Sequence, residues 1–443
     1  MNKIILNKFV FLLASVVAAV TFTSEASALP LFARQTGMEC AACHFQHFPM
    51  LTAFGRSFKS GAFTMMGAQE KVEGDNLSIP VVLNMAILTT AGYVKTNATG
   101  APAPTNGWNN DGNGTVYVPG TNGEFSLFVG GRTSDFSGAL AEMGGSYKMP
   151  MLWEVADGTR LGVVPFTTDG QGVSYGFETL NTGANAVHTM LFIGGDANGS
   201  VAPALSAQQY INTAQPATGA AFVLNNESYF INVTRYNQLG PADLRDGGTP
   251  QTASGGTQTG ADLSLTYLRA AYIFDAGGWD SAVGVQSWSG TSADAASAGV
   301  GASDNKATAI DGQMQGALPN GMPLGIYASF ARAPVVAASA TTDGNLFNGG
   351  TDTRSSFNIS AELGVIPEVA TVGFGIRRGK SGEAVGGSNN ASDNAILLEG
   401  SYKLRQNMML NLVYVSQSGD YWTSAQSDAV GSKQTSINLA TIF

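Results

Sequence analysis

"SSFNISAELGVIPEVATVGFGI", residues 355–376, decides the fold. Read as extended chain, Phe357, Ile359, Ala361 and Leu363 fall on one face and Asn358, Ser360 and Glu362 on the other. Beyond the tight "VIPEV" turn, Ala370, Val372, Phe374 and Ile376 alternate with Thr371, Gly373 and Gly375. The spacing predicts two antiparallel strands with one apolar face and one small or polar face. In a barrel wall the apolar face meets lipid and the other a wet lumen. A β-sandwich alternates too, so the choice falls to the connections.

From about Leu263 onward, short connections take turns with long ones. Tight turns near 275–279, 320–323, 366–368 and 405–407 are separated by Gly/Ser/Asn/Ala loops near 289–306, 334–354, 380–393 and 418–433. Short turns on one rim and long loops on the other is the bacterial outer-membrane arrangement, with the short turns periplasmic. The closing "TSINLATIF" agrees, placing Ile437, Leu439, Thr441 and Phe443 on one face. The expected fold is all-β: an outer-membrane antiparallel β-barrel of roughly 16 strands, the first starting near Ser78. Two places resist this reading. Between Gly195 and Ser228 a long connection falls on the short-turn rim, and "LSLTYLRAAYIF" (263–274) changes phase near Leu268, which points to a bulge.

Composition fits a membrane barrel. Charged residues are 12% of the chain, against about 25% in an ordinary soluble domain. Gly reaches 56 of 443 residues. At the N-terminus, Lys3 and Lys8 precede the apolar "FVFLLASVVAAV" and a small-x-small Ala26-Ser27-Ala28, the pattern of a secretory signal peptide over residues 1–28. Its removal would take the formal net charge from −10 to −11. That balance excludes nucleic acid as a partner, because phosphate binding needs clustered Lys and Arg.

The metal-ligand chemistry is concentrated in "FARQTGMECAACHFQHFPMLTAFGRSFKSGAF", residues 32–63. Cys40, Cys43 and His44 spell C-x-x-C-H, the attachment motif of c-type haem. The two thiols add across the porphyrin vinyl groups, and the adjacent imidazole is the proximal iron ligand. A disulfide, a thioredoxin-like pair and a zinc site compete with this reading. No βαβ context supports the second, and no further cysteine pair supports the third. Met65 and Met66 are candidate distal ligands, with Met38 and Met50 as other possibilities. His47, three residues from His44, sits on the same helical face and does not reach the opposite side. Leu51, Phe54 and Phe58 repeat at helical spacing and would cover a porphyrin. Arg56 and Lys59 would meet propionates or solvent. His188 and the acidic "NNDGNG" and "DLRDGG" read as ordinary lumen or turn residues. The expected organisation is a monohaem plug over 29–76 and a barrel over 77–443.

Residues 31–66, "FARQTGMECAACHFQHFPMLTAFGRSFK" within them, followed by a barrel of this length, resemble the fused monohaem cytochrome–porin family of iron-oxidising bacteria. The resemblance is specific in that segment and architectural elsewhere. It implies an outer-membrane ferrous iron oxidase with one covalent haem c, held by Cys40, Cys43 and His44. It further implies iron(II) as electron donor and a soluble periplasmic carrier, a cytochrome or copper protein, as acceptor. A porin whose haem-bearing plug is a structural element, a sensor or a conduit for another donor is the alternative.

Overall fold

A computed structural model describes residues 30–67, 69–75, 77–99, 114–120, 122–143, 145–183, 206–238, 263–292, 302–339, 342–423, 427 and 431–443. The signal peptide, His188 and most of the two acidic loops lie outside these residues. Sixteen strands, counted among the described residues, close into one barrel. The first eight are β1 (Met85–Thr96), β2 (pieces Thr115–Pro119 and Phe125–Arg132), β3 (Gly138–Glu142), β4 (pieces Ser146–Lys148 and Met151–Ala156), β5 (Thr159–Thr168), β6 (Ala217–Asn225), β7 (Tyr229–Asn237) and β8 (Leu265–Asp275). The rest are β9 (Asp280–Ser289), β10 (Ala307–Ala317), β11 (Pro323–Ala333), β12 (Arg354–Ile366), β13 (Ala370–Lys380), β14 (Ser392–Arg405), β15 (Met408–Ser418) and β16 (Lys433–Ile442). Neighbouring strands pair antiparallel, and β16 closes on β1 with Ile437 opposite Tyr93.

The barrel is inside-out in polarity. Phe357, Ile359, Val372 and Phe374 point outward and stay 38–46% exposed, while Asn358, Ser360 and Glu362 are buried. Water outside would reverse this distribution, so the surrounding solvent is lipid and the protein is an outer-membrane barrel. The C-terminus and the other short turns share one rim; the long connections share the other, together with the short link from β3 to β4.

Three expectations change. The long connection near 195–228 belongs to the long-loop rim: it joins β5 to β6 over 169–216, and the turn at 226–228 is short. Leu268 marks no bulge, because β8 pairs continuously with β7 and β9. Its lumen face carries Leu265 and Tyr267, both fully buried, and that mimics a phase change. The first barrel strand starts at Met85, because Leu77–Pro80 pairs instead with Lys71–Gly74 in a separate hairpin.

Those large inward residues exist because the lumen is filled. Part of the β5–β6 connection folds inward as a 3-10 turn at Val173–Gly176 and the short helix Ala207–Tyr210. Val173, Phe177, Leu180, Tyr210 and Ile211 pack there against Phe230, Tyr236, Tyr267 and Trp288 of the wall. The N-terminal segment lies inside as well, as helices α1 (Pro30–Thr36), α2 (Cys40–Cys43) and α3 (Ala53–Ser60).

Candidate functional site

The cysteine motif is held by close backbone contacts that only small residues permit. Helix α1 stops at Gly37, whose φ of +70° suits glycine. Helix α3 begins on Thr52, whose hydroxyl accepts from Gly55 N at 3.1 Å. It then presses so close to α2 that a Cβ on Gly55 would sit 2.1 Å from the Cys43 carbonyl oxygen. Gln35, fully buried, ties the segment together and to the wall. Its amide donates to Phe63 O at 2.6 Å and Met65 O at 2.8 Å, and its oxygen accepts from Arg132 N of β2 at 3.0 Å.

Cys40 and Cys43 are free thiols, not a disulfide. Among the described residues no group of three or more His, Cys, Asp or Glu side chains converges as a metal site, which leaves zinc without a ligand set. Burial pushes the Cys40 thiol up to about 12, against the pull of nearby Lys403, and also raises Cys43.

The two histidines differ in state. His44 Nδ1–H donates to Met50 O at 3.1 Å. Burial holds its pKa down at about 4, so the ring is neutral with Nε2 as the basic nitrogen. His47 uses both nitrogens: Nδ1 donates to Phe48 O and Nε2 to Glu362 Oε1, each at 2.7 Å. Burial lowers its pKa, but the Glu362 carboxylate raises it more, to about 9, and the ring is an imidazolium.

Cys40, Ala41, His44 and His47 line one side of a cleft at the short-turn rim. The last three strands line the other, with Lys403 of β14, Met408 and Met409 of β15, and Ala440 of β16. The enclosed space is about 60 Å³. Met65 and Met66 lie outside this lining, on the chain anchored by Gln35. Met50 is buried beside Tyr327, Leu397 and Val413, and Met38 is exposed.

The other flanking residues are docking groups. Phe58 packs on Phe32 and Phe63, with centroids 5.1 and 5.7 Å away, rather than over the cleft. The Leu51 N–H donates to Asn181 Oδ1 of the inward loop at 2.8 Å, and Asn181 Nδ2 donates back to Leu51 O at 3.0 Å. Arg56 is neither solvated nor free: buried, it pairs with Asp280 of β9 at 2.7 Å. Lys59 lies over the Phe177 ring.

The inward loop has its own latch. Arg269 of β8, fully buried, donates to Glu178 at 3.0 Å and to Asp311 of β10 at 2.5 Å. Thr182 donates to Asp311 at 2.6 Å. Sequence reasoning passed over this triad, as it did Lys403 and Met409, because their partners are far away along the chain.

No family model matches the chain, and no curated protein matches it. Solved structures similar in fold include OmpF of Salmonella typhi in complex with daunomycin, 11% identical, with TM-score 0.46 over 84% of this chain and 100% of that one. The outer-membrane protein OmpT of Vibrio cholerae is 10% identical with TM-score 0.41, over 84% and 100%. A BenF-like porin from Pseudomonas fluorescens is 9% identical with TM-score 0.39, over 81% and 97%. The barrel assignment rests on strand pairing and inverted polarity, not on these likenesses.

Proposed function

We propose that this chain is an outer-membrane electron-transfer protein that oxidises ferrous iron and delivers the electron to a periplasmic carrier. In each turnover one iron(II) becomes iron(III), and the carrier gains one electron. One observation supports the electron-transfer part: Cys40 and His44 of a C-x-x-C-H turn with free thiols line a cleft at the short-turn rim of a membrane barrel. Iron as the donor comes from the resemblance of residues 31–66.

Covalent haem c, bound through Cys40 and Cys43, would supply the one-electron couple. Two thiols and an imidazole are the donor set such a group takes, but the cleft as it stands is too small to hold it and Cys43 lies outside its lining. Cys40 and Cys43 would hold the group through thioether bonds to its vinyl carbons, an addition that consumes no oxidant. Met50 O holds the His44 tautomer with Nε2 basic, the form an iron ligand needs. The enclosed 60 Å³ is smaller than the ~300 Å³ or more of a typical ligand site. Attachment therefore requires the segment and the rim to part. The filled lumen suits the task, since packed side chains keep a hydrated ferric product outside.

The test is anaerobic mixing of the oxidised, haem-loaded protein in detergent with ferrous iron, followed through the haem bands. Rapid appearance of the reduced spectrum, lost in His44→Ala, is the expected result. A haem that stays oxidised with iron(II) yet is fully converted by a stronger reductant would leave a haem-bearing porin with some other donor.

A further inference from the structure

We infer that the outer face of the wall, from β10 to β13, carries a site for a phosphorylated lipid of the extracellular leaflet. Its head is a cluster of three cations at the long-connection rim. Strand register sets Arg332 of β11 opposite Ser355 of β12, and Ser355 opposite Lys380 of β13. Arg378 is the next outward residue below Lys380 and stands opposite Phe357. All three cations are exposed on the lipid side, within two strand spacings, about 10 Å. The chain as a whole has a formal net charge of −10, so this grouping is local. Among the described residues none of the three has a carboxylate partner. Two acids of the same rim are committed elsewhere: Asp393 holds Arg377 on the lumen side, and Asp420 accepts from Ser392 Oγ.

Below the cations the wall is concave. A groove of about 660 Å³ crosses its outer surface between β7 and β12, and its lining is almost wholly apolar. Small residues shape it: Gly312 of β10 stands opposite Ala328 of β11, and Ala270 of β8 lies further along. Phe330 and Phe357 pair across β11 and β12 at the end nearest the cations. Phe357 is also the cross-strand neighbour of Arg378, so groove and cluster join at one residue. The volume falls within the ~300–1,000 Å³ of built ligand sites.

Charge complementarity selects the occupant. Acyl chains suit an apolar groove that opens on hydrocarbon, and the cations above it fix the head group. Arg guanidinium grips phosphate oxygens in a fork, and Lys adds a point charge. A cation on the lipid face costs more free energy the deeper it lies. Arg378, level with the Phe357 ring, carries that cost until an anion neutralises it. A second copy of this chain, docked about a two-fold axis normal to the membrane, would set the same cations against each other. The site is on the rim opposite the cysteine cleft and does not depend on the haem reading.

The experiment titrates the full-length protein, delipidated in a non-ionic detergent, with diphosphorylated lipid A and with the same lipid after phosphate removal. Native mass spectrometry reads the bound lipid. Two variants accompany wild type: Arg332→Gln/Arg378→Gln/Lys380→Gln, and Ala270→Leu/Ala328→Leu, which fills the groove. Wild type is expected to bind the phosphorylated lipid roughly tenfold more tightly than the stripped one. The triple variant should lose that preference. The groove variant should bind both lipids more weakly and keep the preference between them. Equal binding of the two lipids by wild type, or a preference that survives in the triple variant, overturns the site. Affinity unchanged in the groove variant, with inorganic phosphate displacing the lipid, marks a bare anion site and overturns the lipid assignment. A dimer of the delipidated chain that the lipid leaves intact gives the groove to a second copy, with the same consequence. Heat-modifiable migration on gels confirms that each variant barrel is closed. Haem content and its reduction are read separately, so failure of this site leaves the electron-transfer reading standing.

Discussion

His44 and His47 are three residues apart, yet one is held neutral and the other charged. The difference is the second neighbour: a backbone carbonyl for His44, a carboxylate from β12 for His47. His47 has a folded pKa of about 9, above its ordinary 6.5. Its contribution to docking is therefore complete below about 6.5 and is lost as pH rises through about 9. Glu362 faces it directly, with Glu399 beside it and His44 on its own segment. We expect protease cleavage of the N-terminal segment to rise across pH 8–10 (roughly the window set by that value). In Glu362→Gln this pH step should vanish; a step of unchanged size there would dismiss the ion pair as its cause. Gly55→Ala is the sharper lesion. Its methyl would overlap the Cys43 carbonyl, and backbone cannot yield cheaply, so loss of about 2–4 kcal/mol of segment stability is expected. Reduced incorporation of haem with an intact barrel would be the gel signature.

At the scale of elements, strands were the legible part. The period-two pattern of β12 and β13, the turns at 275–279 and 366–368, and the long loops between them needed no tertiary information. The misreading near Leu268 has its origin in the lumen. Leu265 and Tyr267 were placed as if the lumen were wet, but the β5–β6 connection occupies it and makes apolar inward residues favourable. That connection is latched by Arg269. Replacing Arg269 with Met strands Glu178 and Asp311 as buried carboxylates, and we expect a loss of about 3–5 kcal/mol. Chemical denaturation in detergent would measure it. A double Glu178→Gln/Asp311→Asn change on the Arg269→Met background should recover part of the loss, since it removes the unpaired charges.

At the scale of the whole molecule, the inner loop and N-terminal segment packed inside the barrel among the described residues set it apart from open porins, whose 16 to 18 strands enclose an aqueous channel. Wild-type protein in planar bilayers should give conductance steps at least tenfold below those of an open barrel of equal strand number, by the area argument alone. Arg269→Met, with its inner loop unlatched, should conduct more. Large steps from wild type would remove the argument that the lumen retains ferric ions.

The sequence by itself determined the wall and the C-x-x-C-H turn. Alternation along a strand and the spacing C-x-x-C-H are local, and local geometry translates them directly into a face or a helical turn. Which residues stand opposite that turn was decided only by closure of the barrel. Met409 and Lys403 lie more than 350 positions from Cys40, and His47 is separated by 315 residues from Glu362. They meet because β14, β15 and β16 curve round to β1, where the N-terminal segment lies. No periodicity in the chain encodes such a meeting; it follows from the register of sixteen paired strands.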